Sequence, residues 1–300
     1  MLEEIKNKFK RRDRTLSVLS KNGFFRAVIV RNTQTANTAQ KNHNLSYIPA
    51  FFLAKVLTGG SMISAFLKGE ERVIVDFTGN GILEKIYAEV LHLGECRGFV
   101  KISNNNKEIE SLSEVLGTGI LKVSRILYNQ IEPILGIVPI QKGDIASDLT
   151  YYYNQSEQVD STIILDAKLD NDGFITCSGG LMVQAMPSAK KDDINAMFNI
   201  VNDYNENICA ELEQNDSLET ILQKILPFEF DIMKNIQTDF YCRCNIENFK
   251  NKLLLLEVNE LKGMQAEGHN ELVCQFCNKH YYLSDKDFYD LIGQVLAKSN

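Results

Sequence analysis

The 300-residue chain lacks the motifs that mark most enzymes: it has no P-loop, no G-x-S-x-G and no His/Asp/Ser set with informative spacing. Gly117-Thr118-Gly119 is too short to cradle a phosphate, and His43 and His92 stand isolated. Positive charge is also short. The formal net charge is -7, so the molecule as a whole is a poor polyanion binder. A secretory signal is missing: Lys6, Lys8, Lys10, Arg11, Arg12 and Arg14 crowd the opening, but no apolar core or small-residue cleavage site follows. That cluster reads as a solvated basic tail rather than an anionic-surface contact. An uninterrupted membrane-length run is absent too. The longest apolar stretch, 47–67, contains Lys55, Gly59 and Gly60, with Ser46 as an N-cap and Pro49 near its start, and reads as a buried helix.

What is present fits a soluble globular protein of roughly two domains, with 44% apolar and 24% charged residues. Segments 24–31, 72–77, 83–90, 96–102, 120–127 and 133–141 are rich in β-branched and aromatic residues and read as strands. Segments 162–169 and 174–184 flank Asp170-Asn171-Asp172-Gly173, a hairpin signal. Helices are expected at 47–67 and 144–155. The irregular order predicts an α+β class: a mixed α/β N-terminal domain over 1–187, a helical linker over 188–240 and a small C-terminal domain over 241–300.

Composition changes after Pro187. Four basic residues face eleven acidic ones between 188 and 240, a difference of -7, equal to the net charge of the whole chain. Ile194, Met197, Phe198, Val201, Tyr204, Ile208 and Leu212 share one face at helical spacing, so 192–213 is expected to be a helix. Asn195, Asn199, Asn202 and Asn207 lie off that stripe and Asn205 falls within it. Each Asn costs a helix roughly half a kcal/mol relative to Ala, so docking of the stripe has to hold the segment. It reads either as an ordinary amphipathic helix or as one poised to undock. Asp216 with Glu219 suggests a capping box for a second helix that Pro227 stops.

Seven cysteines are present. Cys96, Cys177 and Cys209 stand alone and read as core or helix residues in a reducing cytoplasm. Cys242-Arg243-Cys244 and Cys274-Gln275-Phe276-Cys277 are separated by 29 residues. Two close thiol pairs joined by a longer loop are the usual layout of a tetrahedral Zn2+ site, and four sulfurs leave no open position for catalytic water. His269 and His280 are the competing ligands. A thioredoxin-like site is disfavoured, because the helix pattern after Cys277 begins only near Asp285. A C-x-C pair can also close a strained small-ring disulfide, so the spacing permits a redox switch without proving one.

These residues resemble the heat shock protein 33 family of redox-regulated holdase chaperones over nearly the whole chain. The resemblance rests on the two cysteine pairs with Asn278-Lys279-His280-Tyr281 behind them. It rests also on Arg26-Ala27, Leu67-Lys68-Gly69-Glu70-Glu71-Arg72, Gly117-Thr118-Gly119-Ile120-Leu121 and Gly143-Asp144-Ile145-Ala146-Ser147-Asp148-Leu149. Asn245 and Val159-Asp160 depart from the family pattern without touching a ligand.

The resemblance implies a cytoplasmic, ATP-independent chaperone and no enzyme. In the reduced state Cys242, Cys244, Cys274 and Cys277 would hold zinc and the protein would be inactive. Oxidation would form Cys242–Cys244 and Cys274–Cys277 disulfides, eject zinc and melt the linker. Unfolding client proteins would then be held, with Ile194, Met197, Phe198 and Val201 as candidate contacts, and the oxidised form would tend to a homodimer. No membrane or nucleic-acid partner is expected. The rival is a zinc-ribbon nucleic-acid or regulatory module. Residues 241–300 carry seven basic and eight acidic side chains, the wrong balance for tracking phosphates.

Overall fold

A computed structural model describes residues 11–104, 111–128, 130–205 and 207–298; Lys6, Lys8 and Lys10 lie outside them. The chain divides by its internal contacts after Tyr241, into units 1–241 and 242–300. The first unit begins Arg14–Ser20 (β1), Phe25–Arg31 (β2), Thr33–His43 (α1) and Tyr47–Ser64 (α2). Arg72–Gly79 (β3), Leu83–Leu91 (β4), Glu95–Ile102 (β5), Gly119–Ile126 (β6) and Ile134–Pro139 (β7) follow. Then come Ile145–Tyr152 (α3), Ser161–Leu169 (β8), Ile175–Ala185 (β9), Lys191–Asn202 (α4), Ile208–Gln214 (α5) and Leu218–Ile225 (α6). Phe230–Gln237 (β10) and Asp239–Phe240 (β11) end the unit. The mixture of sheets and helices is the expected α+β class.

Two sheets result, with strand orders β10-β1-β2-β9-β8 and β11-β5-β4-β3-β6-β7. Only the short β11–β5 pairing is parallel among the described strands. Helix α2 touches strands of both sheets. Its Gly59 and Gly60 let it approach that closely: a Cβ on Gly59 would lie 2.5 Å from Leu149 Cδ1, and one on Gly60 2.9 Å from Val90 Cγ2. By length and composition α2 could cross a membrane, yet 78% of it is buried inside the protein.

Helix α1 and strands β1 and β10 escaped the sequence reading. The Asn32 side chain does not cap α1. The carboxylate of Asp13, distant in sequence, accepts the Thr35 N–H at 2.6 Å and so takes the place of a local cap. Burial pushes Asp13 up to about 6 against the lowering effect of its Thr35 bonds. Strand β10 pairs with β1 from Arg14↔Gln237 to Ser20↔Phe230, so the end of the 188–240 segment completes a sheet. Lys234 on β10 donates to the carbonyls of Ala65 (2.8 Å) and Leu67 (2.7 Å), just past the end of α2.

The expected 192–213 helix is two helices. The chain leaves α4 at Asn202, turns through Asp203, Tyr204 and Asn205, and restarts at Ile208. Asn and Asp stabilise turns as readily as they weaken helix interiors, so the break falls where they cluster. Asn207 is the N-cap residue of α5, not an interior site. The cap of α6 is Ser217, whose Oγ accepts the Thr220 N–H at 3.3 Å. Asp216, expected there, pairs instead with Arg11 at 2.6 Å.

Helices α4, α5 and α6 share one apolar core with the five-stranded sheet. Met197, Val201, Ile208, Leu212, Ile221 and Leu222 are buried among Leu16, Ile29, Ile164 and Leu181. Each such side chain contributes about 1.5–3 kcal/mol relative to exposure. Polar bonds rim that core. Thr162 Oγ1 donates to Asn202 Oδ1 at 2.8 Å, and Lys168 meets Glu213 at 2.9 Å. Buried Arg31 on β2 donates to the carbonyls of Leu212 (2.9 Å), Asn215 (2.6 Å) and Asp216 (3.0 Å) at the end of α5.

The second unit contains Ile246–Leu253 (α7), Val258–Ala266 (α8), Glu271–Val273 (β12), His280–Tyr282 (β13) and Asp285–Lys298 (α9). Among its described residues the buried apolar side chains are Leu261, Cys274, Leu283, Phe288 and Leu291.

Candidate metal centre

Each thiol pair is presented by a short, locally determined segment. Cys242-Arg243-Cys244 lies outside any helix or strand and is followed by Asn245, which caps α7 by accepting the Asn248 N–H at 2.8 Å. Residues two apart in a strand-like chain share a face, and both sulfurs of this C-x-C pair reach the same cluster. Cys274 and Cys277 sit in the turn between β12 and β13. That turn is knotted by the Cys274 N–H donating to Lys279 O at 2.9 Å and the Asn278 N–H donating to Cys274 O at 2.7 Å. Asn278 adopts φ 55°, a left-handed conformation that Asn tolerates better than most residues.

The sulfurs of Cys242, Cys244, Cys274 and Cys277 all lie within 4.8 Å of one another. Cys242 Sγ is 3.7 Å from Cys274 Sγ, and Cys244 Sγ is 3.4 Å from Cys277 Sγ. A tetrahedron with metal–sulfur bonds of about 2.3 Å has edges of about 3.8 Å, so the donor set fits one thiophilic ion. Tyr281, which sequence reasoning did not single out, closes one side of the cluster. Its hydroxyl donates to the Cys244 carbonyl at 3.0 Å and lies 3.2 Å from the Cys244 sulfur, and its ring packs against Phe249 at 5.4 Å. The available signal was position: an aromatic residue one strand residue past the second thiol turn.

The thiols are electrostatically unequal. Burial would raise Cys244, but hydrogen bonds from Tyr281 and from the other thiols outweigh it and bring its pKa below the ordinary thiol range. Burial and the neighbouring thiols raise Cys242 and Cys277.

The rival ligands are engaged elsewhere. His280 Nδ1 lies 2.7 Å from Glu271 Oε1, and His269 Nδ1 lies 3.3 Å from Glu267. Neither belongs to the four-residue cluster. Of the candidate client contacts, Met197 and Val201 are buried in the core under α4, while Ile194 and Phe198 pack partly buried against it. In the folded chain, therefore, that stripe is covered. Cys96, Cys177 and Cys209 are all buried in the first unit.

Comparison with known proteins gives a consistent answer. The profile of the family described as Hsp33 protein matches residues 13–284. The 33 kDa chaperonin of Streptococcus thermophilus is 31% identical over 288 residues, covering 94% of this chain and 99% of the relative. The 33 kDa chaperonin of Enterococcus faecalis is 31% identical over 302 residues, with coverage of 96% and 98%. The crystal structure of the 33 kDa chaperonin (Hsp33 homolog) of Thermotoga maritima superposes with a TM-score of 0.85 at 26% identity, covering 95% of this chain and 99% of that one.

Proposed function

This chain belongs to the Hsp33 chaperone family, and from that premise we propose that it is a redox-regulated, ATP-independent holdase. The observation that carries the proposal is a cluster of four thiols at tetrahedral spacing inside a unit whose described residues include five buried apolar side chains. So small a core gathers little folding energy by itself. Zinc, when bound by Cys242, Cys244, Cys274 and Cys277, supplies that energy and keeps the sulfurs as thiolates.

Oxidation by a hydroperoxide removes those ligands in pairs. Each pair of thiolates gives up two electrons, a sulfur–sulfur bond forms, and the O–O bond breaks as two protons are taken up, leaving water and an alcohol, or two waters from hydrogen peroxide. Family resemblance assigns the pairs as Cys242–Cys244 and Cys274–Cys277. Once the sulfurs are consumed, the second unit loses its main source of order. The 188–240 segment, which runs directly into Cys242, acts as a metastable linker on this reading. Release of α4 and α5 uncovers Ile194, Met197, Phe198 and Val201, and with them the sheet face beneath, for unfolding client proteins.

The protein works in the cytoplasm, carries out no catalysis, and forms a homodimer when oxidised. The acidic balance of the chain supports the absence of nucleic acid from this scheme. The test is to follow zinc release, client aggregation and particle size in one peroxide titration. Loss of one zinc per chain, the appearance of client protection and dimer formation should coincide. Equal protection by the reduced and oxidised forms would overturn the proposal, and peptide mapping of the oxidised chain decides the disulfide pairing.

A further inference from the structure

Three cysteines lie outside the four-sulfur cluster, and two of them meet. Cys177 is on β9, and Cys209 is in the first turn of α5. They are 3% and 0% exposed. The Cys177 thiol donates to the Cys209 carbonyl at 3.6 Å, which brings the two residues into contact across the seam. The Cys209 N–H in turn donates to Asp166 Oδ2 on β8 at 3.4 Å. The third lone thiol, Cys96, is buried elsewhere, on β5. The Cys177/Cys209 pair therefore spans the seam on which α5 rests.

We infer that Cys177 and Cys209 form a second redox site, whose disulfide staples α5 to the five-stranded sheet. Its effect is opposite in sign to oxidation of the C-terminal cluster: one holds the seam closed, the other favours its opening. While the seam is closed, contact with Cys177 and burial keep the Cys209 thiol far above its ordinary range, so it stays protonated and unreactive. Helix α5 is only seven residues long, and local opening admits a hydroperoxide. The Cys209 thiolate then attacks the O–O bond, becoming a sulfenic acid as one oxygen leaves as water. On reclosure the Cys177 sulfur attacks the sulfenic sulfur, a disulfide forms, and a second water departs. Two thiols lose two electrons and two protons, and one hydrogen peroxide becomes two waters.

The restraining role rests on the linker-release reading above, whereas formation of the bond does not. Reduced full-length protein is treated with hydrogen peroxide, quenched by alkylation, and digested without reductant for mass spectrometry. A peptide linked through Cys177 and Cys209 should form, several-fold faster under mild heating that opens α5. Amides of Ile208–Gln214 should then exchange at least tenfold more slowly than in Cys209→Ser or Cys177→Ala treated identically. Recovery of both cysteines alkylated, or as sulfinic acids, while the cluster cysteines are oxidised would overturn the inference. So would a linked peptide without slowed exchange. Client protection is scored separately: a linked, slowed α5 in a chain that never protects clients retains the staple and removes the linker-release reading.

Discussion

The two units are held together by different physics. The described residues of 1–241 bury fifty-six apolar side chains around two sheets, whereas those of 242–300 bury five, one of them a cysteine of the cluster. Large unit, large core: hydrophobic burial alone suffices there. On the proposed reading, the small unit draws its order from a metal held by its four sulfurs. Helices α4 and α5 stand between these cases. Met197, Val201, Ile208 and Leu212 of their apolar stripe are fully buried and Ile194, Phe198 and Tyr204 only partly, while α5 is seven residues long and its far end is tied down by one guanidinium.

Changing the sulfurs should separate the units most sharply. Cys242→Ser with Cys274→Ser removes half the ligand set, and structural zinc sites contribute on the order of 10 kcal/mol. Metal analysis should give no bound zinc, and hydrogen exchange should show 242–298 unprotected while β3, β4 and β6 stay protected. Retained zinc, or loss of protection in both units together, would break the comparison.

A smaller effect is expected at the guanidinium. Arg31→Met leaves three carbonyls at the end of α5 without their donor and should cost roughly 2–4 kcal/mol locally, since hydrogen bonds to charged groups are worth about 1.5–3 kcal/mol each and do not add fully. Exchange of Ile208–Gln214 should accelerate and less oxidant should be needed for client protection, with zinc affinity unchanged.

Asp13 gives the first unit a pH dependence of its own. Its folded pKa is about 6 against an ordinary 3.8. Between those values the folded state keeps a proton that the unfolded state releases, so its contribution is full below pH 4 and is lost as pH rises through 6. The shift amounts to about 3 kcal/mol. Asp13→Asn should flatten urea-unfolding stability of the first unit between pH 4 and 7; an unchanged slope would remove Asp13 from the account.

The smallest effect is on the solvent face of α4. Asn195 and Asn199 are exposed helix-interior residues, so replacing both by Ala should stabilise α4 by roughly 1 kcal/mol in total. Activation should shift to higher peroxide or temperature, with metal content unchanged. Asn207 is left out because it sits at the start of α5 rather than inside a helix.

What could be read from sequence follows the range of the forces. The strands from β2 to β9 and helix α2 are written in local periodicity, and the cysteine spacing is local in the same sense. Helix α1 was invisible because its cap, Asp13, is 22 residues away from Thr35. Strand β10 carries a poorly alternating pattern and gains its identity from pairing with β1, more than two hundred residues earlier. At the metal centre the four thiols could be named from spacing, whereas the Tyr281 contact to Cys244 depends on the hairpin register. The contact of Cys177 with Cys209 depends on how α5 docks, and nothing local announces it.

The central claim is that loss of the four sulfur ligands loosens 242–298 and the α4–α5 segment while the rest of the first unit holds. Hydrogen exchange of the full-length protein, read by peptide before and after peroxide under mild heat, tests it most directly. The expected result is lost protection over 242–298 and 191–214, unchanged protection in β3, β4 and β6, and zinc release with the same time course. Full client protection with 191–214 still protected would contradict the claim and place client binding on another surface.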